Sequence, residues 1–449
     1  MAAMRFDWDM SITTVSHRNT AYRNFKGMSL RDHYFEVPLD YSVTDSSTIE
    51  VFAREVVDTK QADNAELPWV VYFQGGPGFP ANRPITHGGW IGEVLKTHRL
   101  LLLDQRGTGL SSRILPQSLA QFATPQEQAD HLTLFRADNI VKDAEAIRLT
   151  LLGDGKKWKG MGQSYGGFCL LTYLSFFPDS LDGVIITGGV ACVKRHIEDN
   201  YRLTYQKVLE KNNAYYRHYP EDEKRVQNIV QHLLDNEVIL PSGVRLSPRR
   251  FQALGLCFGA DGGFERIHYL VEKAFIDGPN GPEIAYDFLS EVEQMHSFDT
   301  NPIFCILHES IYAEGYATQW AAERLRSEFP WVEVDPKQRF HFTGEMISPT
   351  MLHDFAHLAP LKECAEILAQ KADWGPLYDL EQLATNTVPV SAISYYEDMY
   401  VPIELSRETA LHIPNFYQWV TNEWEHDGIG HDGAKILQRL LDKLSTPRL

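Results

Sequence analysis

The stretch Trp158–Leu170, WKGMGQSYGGFCL, sets a single hydroxyl, Ser164, between glycines where a β-like run meets an apolar, helix-like run. Gly162-Gln163-Ser164-Tyr165-Gly166 fits G-x-S-x-G, the pattern in which a serine rides a sharp turn from strand to helix. A turn that tight has no room for side chains beside the serine, and it lifts the hydroxyl clear of the sheet toward a base and a substrate. The stretch therefore predicts a nucleophile at the end of a buried strand.

Reading outward, two more apolar runs end in glycine-rich turns: PWVVYF (68–73) before QGGPG, and RLLLLD (99–104) before QRGTG. Upstream, DHYFEVPLDY (32–41) and TIEVFAREVV (48–57) flank the polar turn SVTDSS and read as a hairpin. Ile140, Val141, Ala144, Ile147 and Leu151 recur at helical spacing, and Gly153 marks the end of that helix. LDGVIITGGV (181–190) reads as a further strand, after which the alternation stops. From Ala191 to about Pro360 the pattern is amphipathic and helical, with few β-like runs. Strand-like VPVSAISYY (388–396) and NFYQWVTNEW (415–424) then precede a terminal helix carrying Ile436, Leu437, Leu440, Leu441 and Leu444. This order predicts an α/β fold: a mostly parallel central sheet with helices on both faces and an inserted helical cap. The expected division is core 1–190, cap 191–360 and core 361–449.

A serine nucleophile needs a base, and the base needs an acid to hold its tautomer; on this architecture they follow in the order Ser, acid, His. The late strand ends offer Asp398 as the acid, with Glu397 as its rival, and His426 as the base, with His431 as its rival. Backbone N–H groups of Tyr165 and Gly76 are the expected oxyanion donors. His353 and His357 in HDFAH lack the H-E-x-x-H pattern and a third ligand, so neither metal nor cofactor is expected. Cys169, in the helix after the nucleophile, reads as a buried structural thiol.

The chain has 449 residues and a formal net charge of −18, which excludes nucleic acid and anionic membrane surfaces as expected partners. No apolar run is long enough to span a bilayer, and MAAMRFDWDM lacks the pattern of a secretory signal. Five cysteines without a C-x-x-C pair point to reduced thiols and a cytoplasmic location. Between Asp261 and Trp320 there are 11 acidic residues against two basic ones, either a solvated helical surface or a field that attracts cations. The composition leaves room for a homo-oligomer.

Six segments together resemble the proline iminopeptidases, or prolyl aminopeptidases, of the α/β-hydrolase superfamily. They are QGGPGFPANRP (74–84), DQRGTGLSS (104–112), GQSYGGF (162–168), LHESIYAEG (307–315), HFTGEM (341–346) and YYEDMYVP (395–402). Gln74 stands where smaller members of the family carry histidine, as in the family's longer branch. The resemblance implies removal of N-terminal proline from peptides by a Ser-His-Asp triad, with cap glutamates binding the free amine. Carried onto this chain it points to Glu309 and then Glu345 as amine ligands, the first lying within the acidic segment. Tyr312, Phe79, Tyr165 and Trp90 are candidate walls for the proline ring. An esterase or amidase acting on neutral acyl groups is the alternative, since fold and triad do not choose a substrate. A binding protein would be expected to have lost a member of the triad.

Overall fold

The computed structural model describes residues 12–279 and 281–445; the MAAMRFDWDM segment lies outside the described residues. Its main sheet contains β1 (Ser16–Asn19), β2 (Arg23–Phe25), β3 (Met28–Pro38), β4 (Thr48–Asp58), β5 (Trp69–Phe73), β6 (Arg99–Leu103), β7 (Trp158–Gln163) and β8 (Leu181–Thr187). Two strands, β9 (Phe275–Gly278) and β10 (Gly281–Ile284), form a separate hairpin, and β11 (Val390–Tyr395) and β12 (Phe416–Thr421) complete the main sheet. The strand order is β1-β3-β4-β6-β5-β7-β8-β11-β12, with β2 paired to β3. From β6 to β12 every pairing is parallel, whereas β1 to β4 join antiparallel, including the expected hairpin β3–β4.

Alternation along the central strands sends successive side chains to opposite faces. Val71, Phe73, Leu101 and Leu103 pack with helices Ala137–Leu152 and Tyr165–Phe176. Val70, Tyr72, Leu100 and Leu102 pack on the other face with Gly89–Leu95 and the terminal helix Gly428–Leu444. Burial on both faces explains why β5 and β6 read as near-continuous apolar runs. Helix Ala137–Leu152 stops at Gly153, whose φ of 86° is in the left-handed region.

After Thr187 the chain leaves the sheet and returns at Val390. The excursion is mainly helical, opening with Ile197–His218 and Asp222–Asp235, around an aromatic core that includes Tyr201, Tyr215, Phe251, Phe258 and Phe342. The hairpin β9–β10 lies inside it, too short to register as β-like runs in the sequence. Two core loops are cut to fit this excursion. A Cβ on Gly78 would sit 2.7 Å from Ile303 Cβ, and one on Gly107 2.6 Å from Ile303 Cδ1. Arg136, buried at the start of a core helix, donates to Ser310 O (3.2 Å) and Ala313 O (2.6 Å). No helix among the described residues is long and apolar enough to cross a membrane.

Candidate active site

Ser164 sits at the end of β7 with φ 51° and ψ −124°, left-handed backbone that costs a non-glycine residue about 1–3 kcal/mol. Neighbouring glycines make the bend possible. A Cβ on Gly166 would lie 2.1 Å from Phe73 O, and one on Gly162 would lie 2.4 Å from the Gly166 carbonyl. Ser164 N–H donates to Thr187 O at 2.9 Å, which anchors the bend to β8. Immediately after β8, a Cβ on Gly189 would fall 2.0 Å from Ser164 O, and one on Gly188 would fall 3.2 Å from the His426 ring. One glycine pair thus admits both Ser164 and His426 from two sides.

His426 follows β12 and Asp398 follows β11, and both are buried. His426 Nδ1 donates to Asp398 Oδ2 at 2.6 Å, and this tautomer leaves Nε2 as an acceptor. The other carboxylate oxygen, Oδ1, accepts the N–H groups of Tyr400 (2.8 Å) and Val401 (3.0 Å). Burial pushes the His426 pKa down, but the charge and hydrogen bond of Asp398 outweigh it, and the net shift is upward from 6.5. The rivals lie elsewhere. Glu397 is exposed, and His431, with 43% of its side chain exposed, bonds Asp427 at 3.0 Å. His353 and His357 are both exposed.

Ser164 and His426 open onto a cavity of about 270 Å³. Gln74, Gly75 and Gly76 border it beside Ser164, and Phe79, Leu256, Phe298 and Phe304 supply an apolar wall. Phe79 meets Phe304 edge-on at 5.6 Å, and Phe304 stacks on Phe298 at 5.3 Å. Glu345 also lines the cavity, and no hydrogen bond from the described residues reaches its carboxyl. Burial raises its pKa to about 8, with the nearby Asp398 charge adding to the rise and His426 opposing it.

Glu309 is placed differently. It is buried outside the cavity lining, and its two oxygens accept the N–H groups of Ala321 and Ala322, each at 3.0 Å. Burial raises its pKa, and those amides and Thr318 oppose the rise. Its carboxylate caps the short helix Ala321–Leu325. Of the aromatic candidates, only Phe79 borders the cavity. Tyr312 lies edge-on to Phe168 at 5.6 Å, Trp90 packs on Tyr72 at 4.6 Å beneath the sheet, and the Tyr165 ring is in the core.

Tyr400, which sequence reasoning did not single out, stands edge-on to His426 at 4.9 Å and borders the cavity. Its place two residues after Asp398 was the available signal. Leu256, Phe298 and Phe304 carried none, since nothing local distinguishes them from other apolar residues of the excursion.

Residues 68–227 match the family described as alpha/beta hydrolase fold. A proline iminopeptidase from Aeromonas sobria is 50% identical over 416 residues, covering 92% of this chain and 96% of that relative. One from Aspergillus aculeatus is 38% identical over 412 residues, covering 90% of this chain and 91% of that relative. The crystal structure of a proline iminopeptidase from Mycobacterium smegmatis aligns at a TM-score of 0.40 and 14% identity, over 88% of this chain and 96% of that one.

Proposed function

The chain belongs to the proline iminopeptidase family of α/β hydrolases, and from that premise we propose that it releases N-terminal proline from peptides. The observation that carries the reading in this molecule is one cavity shared by Ser164, His426 and the unpartnered carboxyl of Glu345. A nucleophile, its base and an anionic group for an amine are the three things an N-terminal exopeptidase needs within one residue of each other.

In this mechanism Ser164 Oγ attacks the prolyl carbonyl while His426 Nε2 takes the hydroxyl proton, and Asp398 stabilises the imidazolium. The oxyanion accepts hydrogen bonds from Tyr165 N–H, which is free of an intrahelical acceptor at the first position of its helix, and from Gly76 N–H. His426 returns the proton to the leaving amine, and water then cleaves the prolyl ester with His426 as base again. Glu345 binds the protonated secondary amine of the substrate. The incoming cation favours the carboxylate, so the proton held by a group with a pKa near 8 is released on binding. Phe79, Phe304 and Phe298 face the ring. Glu309 has a structural part instead, holding the turn at Ala321–Ala322. Residues 191–360 act as the cap over the nucleophile. The cysteines are free, and Cys169, Cys305 and Cys364 are buried, which supports a reducing, cytoplasmic setting.

The test compares a chromogenic proline anilide with its N-acylated form and with a short acyl ester. Turnover of the free-amine anilide alone is expected. Preference for the ester or the acylated anilide would keep the nucleophile and discard the aminopeptidase reading.

A further inference from the structure

Glu425, His426 and Asp427 are consecutive, and each takes a partner from the excursion between β8 and β11. Lys211, on helix Ile197–His218 and 7% exposed, donates from Nζ to Glu425 Oε1 at 2.5 Å. His426 donates its backbone N–H to Gly259 O at 3.1 Å. Asp427 Oδ1 accepts Asp261 N–H at 3.0 Å. The neighbouring Asp398 loop is tied to the same place. Tyr400 OH donates to Leu256 O, and its ring fills the space where a Cβ on Gly259 would lie 2.3 Å from Cζ.

The sheet side therefore holds the imidazole through Asp398, while the excursion holds the main chain that carries it. Among these ties Lys211–Glu425 is the ion pair with a buried cation. The second oxygen of Glu425, Oε2, is buried without a partner among the described residues. Removing the buried cation of this half-buried pair leaves the Glu425 charge uncompensated, so that it must move or change protonation. Either response displaces the residue bonded directly to His426. Lys211 does not line the cavity, so its influence on the reaction runs through that loop.

We propose that Lys211 is a positioning residue for His426: its pair with Glu425 locks the cap to the histidine loop and keeps Nε2 aimed at Ser164. The inference rests on His426 being the base. It predicts that cap and base are assembled together, so that damage to a cap lysine is felt in the chemical step.

The experiment measures kcat on the proline anilide per active site, with sites counted by exhaustive reaction with a fluorophosphonate. Lys211→Met is expected to lower kcat per titrated site about tenfold with KM changed less than about twofold, as a small misplacement of a catalytic group does. Lys211→Arg should recover to within about threefold of the wild type, since it keeps a cation for Glu425. A Lys211→Met/Glu425→Gln double variant should be no slower than Lys211→Met, because partners in one pair are not additive. A contact that only stabilised the fold would reduce the number of titratable sites and leave the rate per site alone. If Lys211→Met yields no folded protein, Glu425→Gln carries the test, with a loss of kcat per site expected. Wild-type kcat per site in Lys211→Met, or in Glu425→Gln where Lys211→Met does not fold, overturns the proposal, as do losses that add in the double variant. His426→Ala separates the two readings. Wild-type rates at Lys211 and Glu425 with no activity in His426→Ala remove the positioning role alone, whereas an active His426→Ala removes the triad and this inference with it.

Discussion

Around Ser164 the site is shaped by backbone, and around Glu345 it is shaped by side chains. On the core side, three glycines (162, 166 and 189) let main chains approach to distances that any Cβ would block, and Gly188 leaves room beside the His426 ring. On the side of the excursion between β8 and β11, Glu309 and Glu345 share a residue type and an origin in matched motifs, yet one spends both oxygens on amides and the other faces the cavity. The contrast teaches that a requirement for absence, no side chain here, leaves a mark in the letters. A requirement for orientation does not.

The largest expected effect is at Ser164, the proposed nucleophile. Ser164→Ala should cut kcat by about 10⁵-fold while the melting temperature is unchanged or higher, and measurable turnover would break the core half of the comparison. Gly189→Ala tests the claim that backbone makes that half. With its Cβ 2.0 Å from Ser164 O, the bend must shift, and activity should fall at least ~10²-fold even in folded protein, as read from far-ultraviolet dichroism beside kinetics.

The cap half is sharpened by treating its glutamates as a pair. Glu345→Gln should raise KM for the free-amine anilide by roughly 10²-fold and leave hydrolysis of a short ester within about threefold. The same variant carries a stability signature. Because the folded pKa of Glu345, about 8, lies above 4.5, its contribution is fully present below 4.5 and is lost as pH rises through 8. The melting temperature of Glu345→Gln should therefore gain on that of the wild type between pH 5 and pH 9, and a gap independent of pH would count against the buried carboxyl. Glu309→Gln should instead lower stability by about 1–2 kcal/mol in urea unfolding, with the anilide-to-ester ratio unmoved. A changed ratio would make it an amine ligand after all. Smallest of all, His431→Ala should leave kcat within about twofold, since its ring is exposed and tied to Asp427.

These differences also explain what could be read in advance. The strand–glycine runs at 68–78, 99–107 and 158–166 announced the parallel sheet because buried strands and tight turns restrict residue type. Asp398 and His426 could be placed at strand ends, but their rivals Glu397 and His431 lay within a few residues, and burial and the His426–Asp398 hydrogen bond, neither visible in the letters, distinguish them. Tyr312, Trp90 and the Tyr165 ring looked equivalent to Phe79 as pocket walls. Which aromatic faces a cavity depends on packing between segments far apart in the chain, as in the Phe79–Phe304 contact. The hairpin β9–β10, FIDG and GPEI, was illegible for another reason: four-residue strands with little apolar pattern resemble loop.

The seat of Ile303 on Gly78 and Gly107 bears on how such proteins are recombined. A cap of another shape moved onto this core would meet loops already carved for one particular isoleucine, and this cap moved elsewhere would meet loops with no notch for it. The module available to evolution or to an engineer is therefore not the excursion between β8 and β11 alone. It is that excursion together with Gly78 and Gly107, which precede it in the chain.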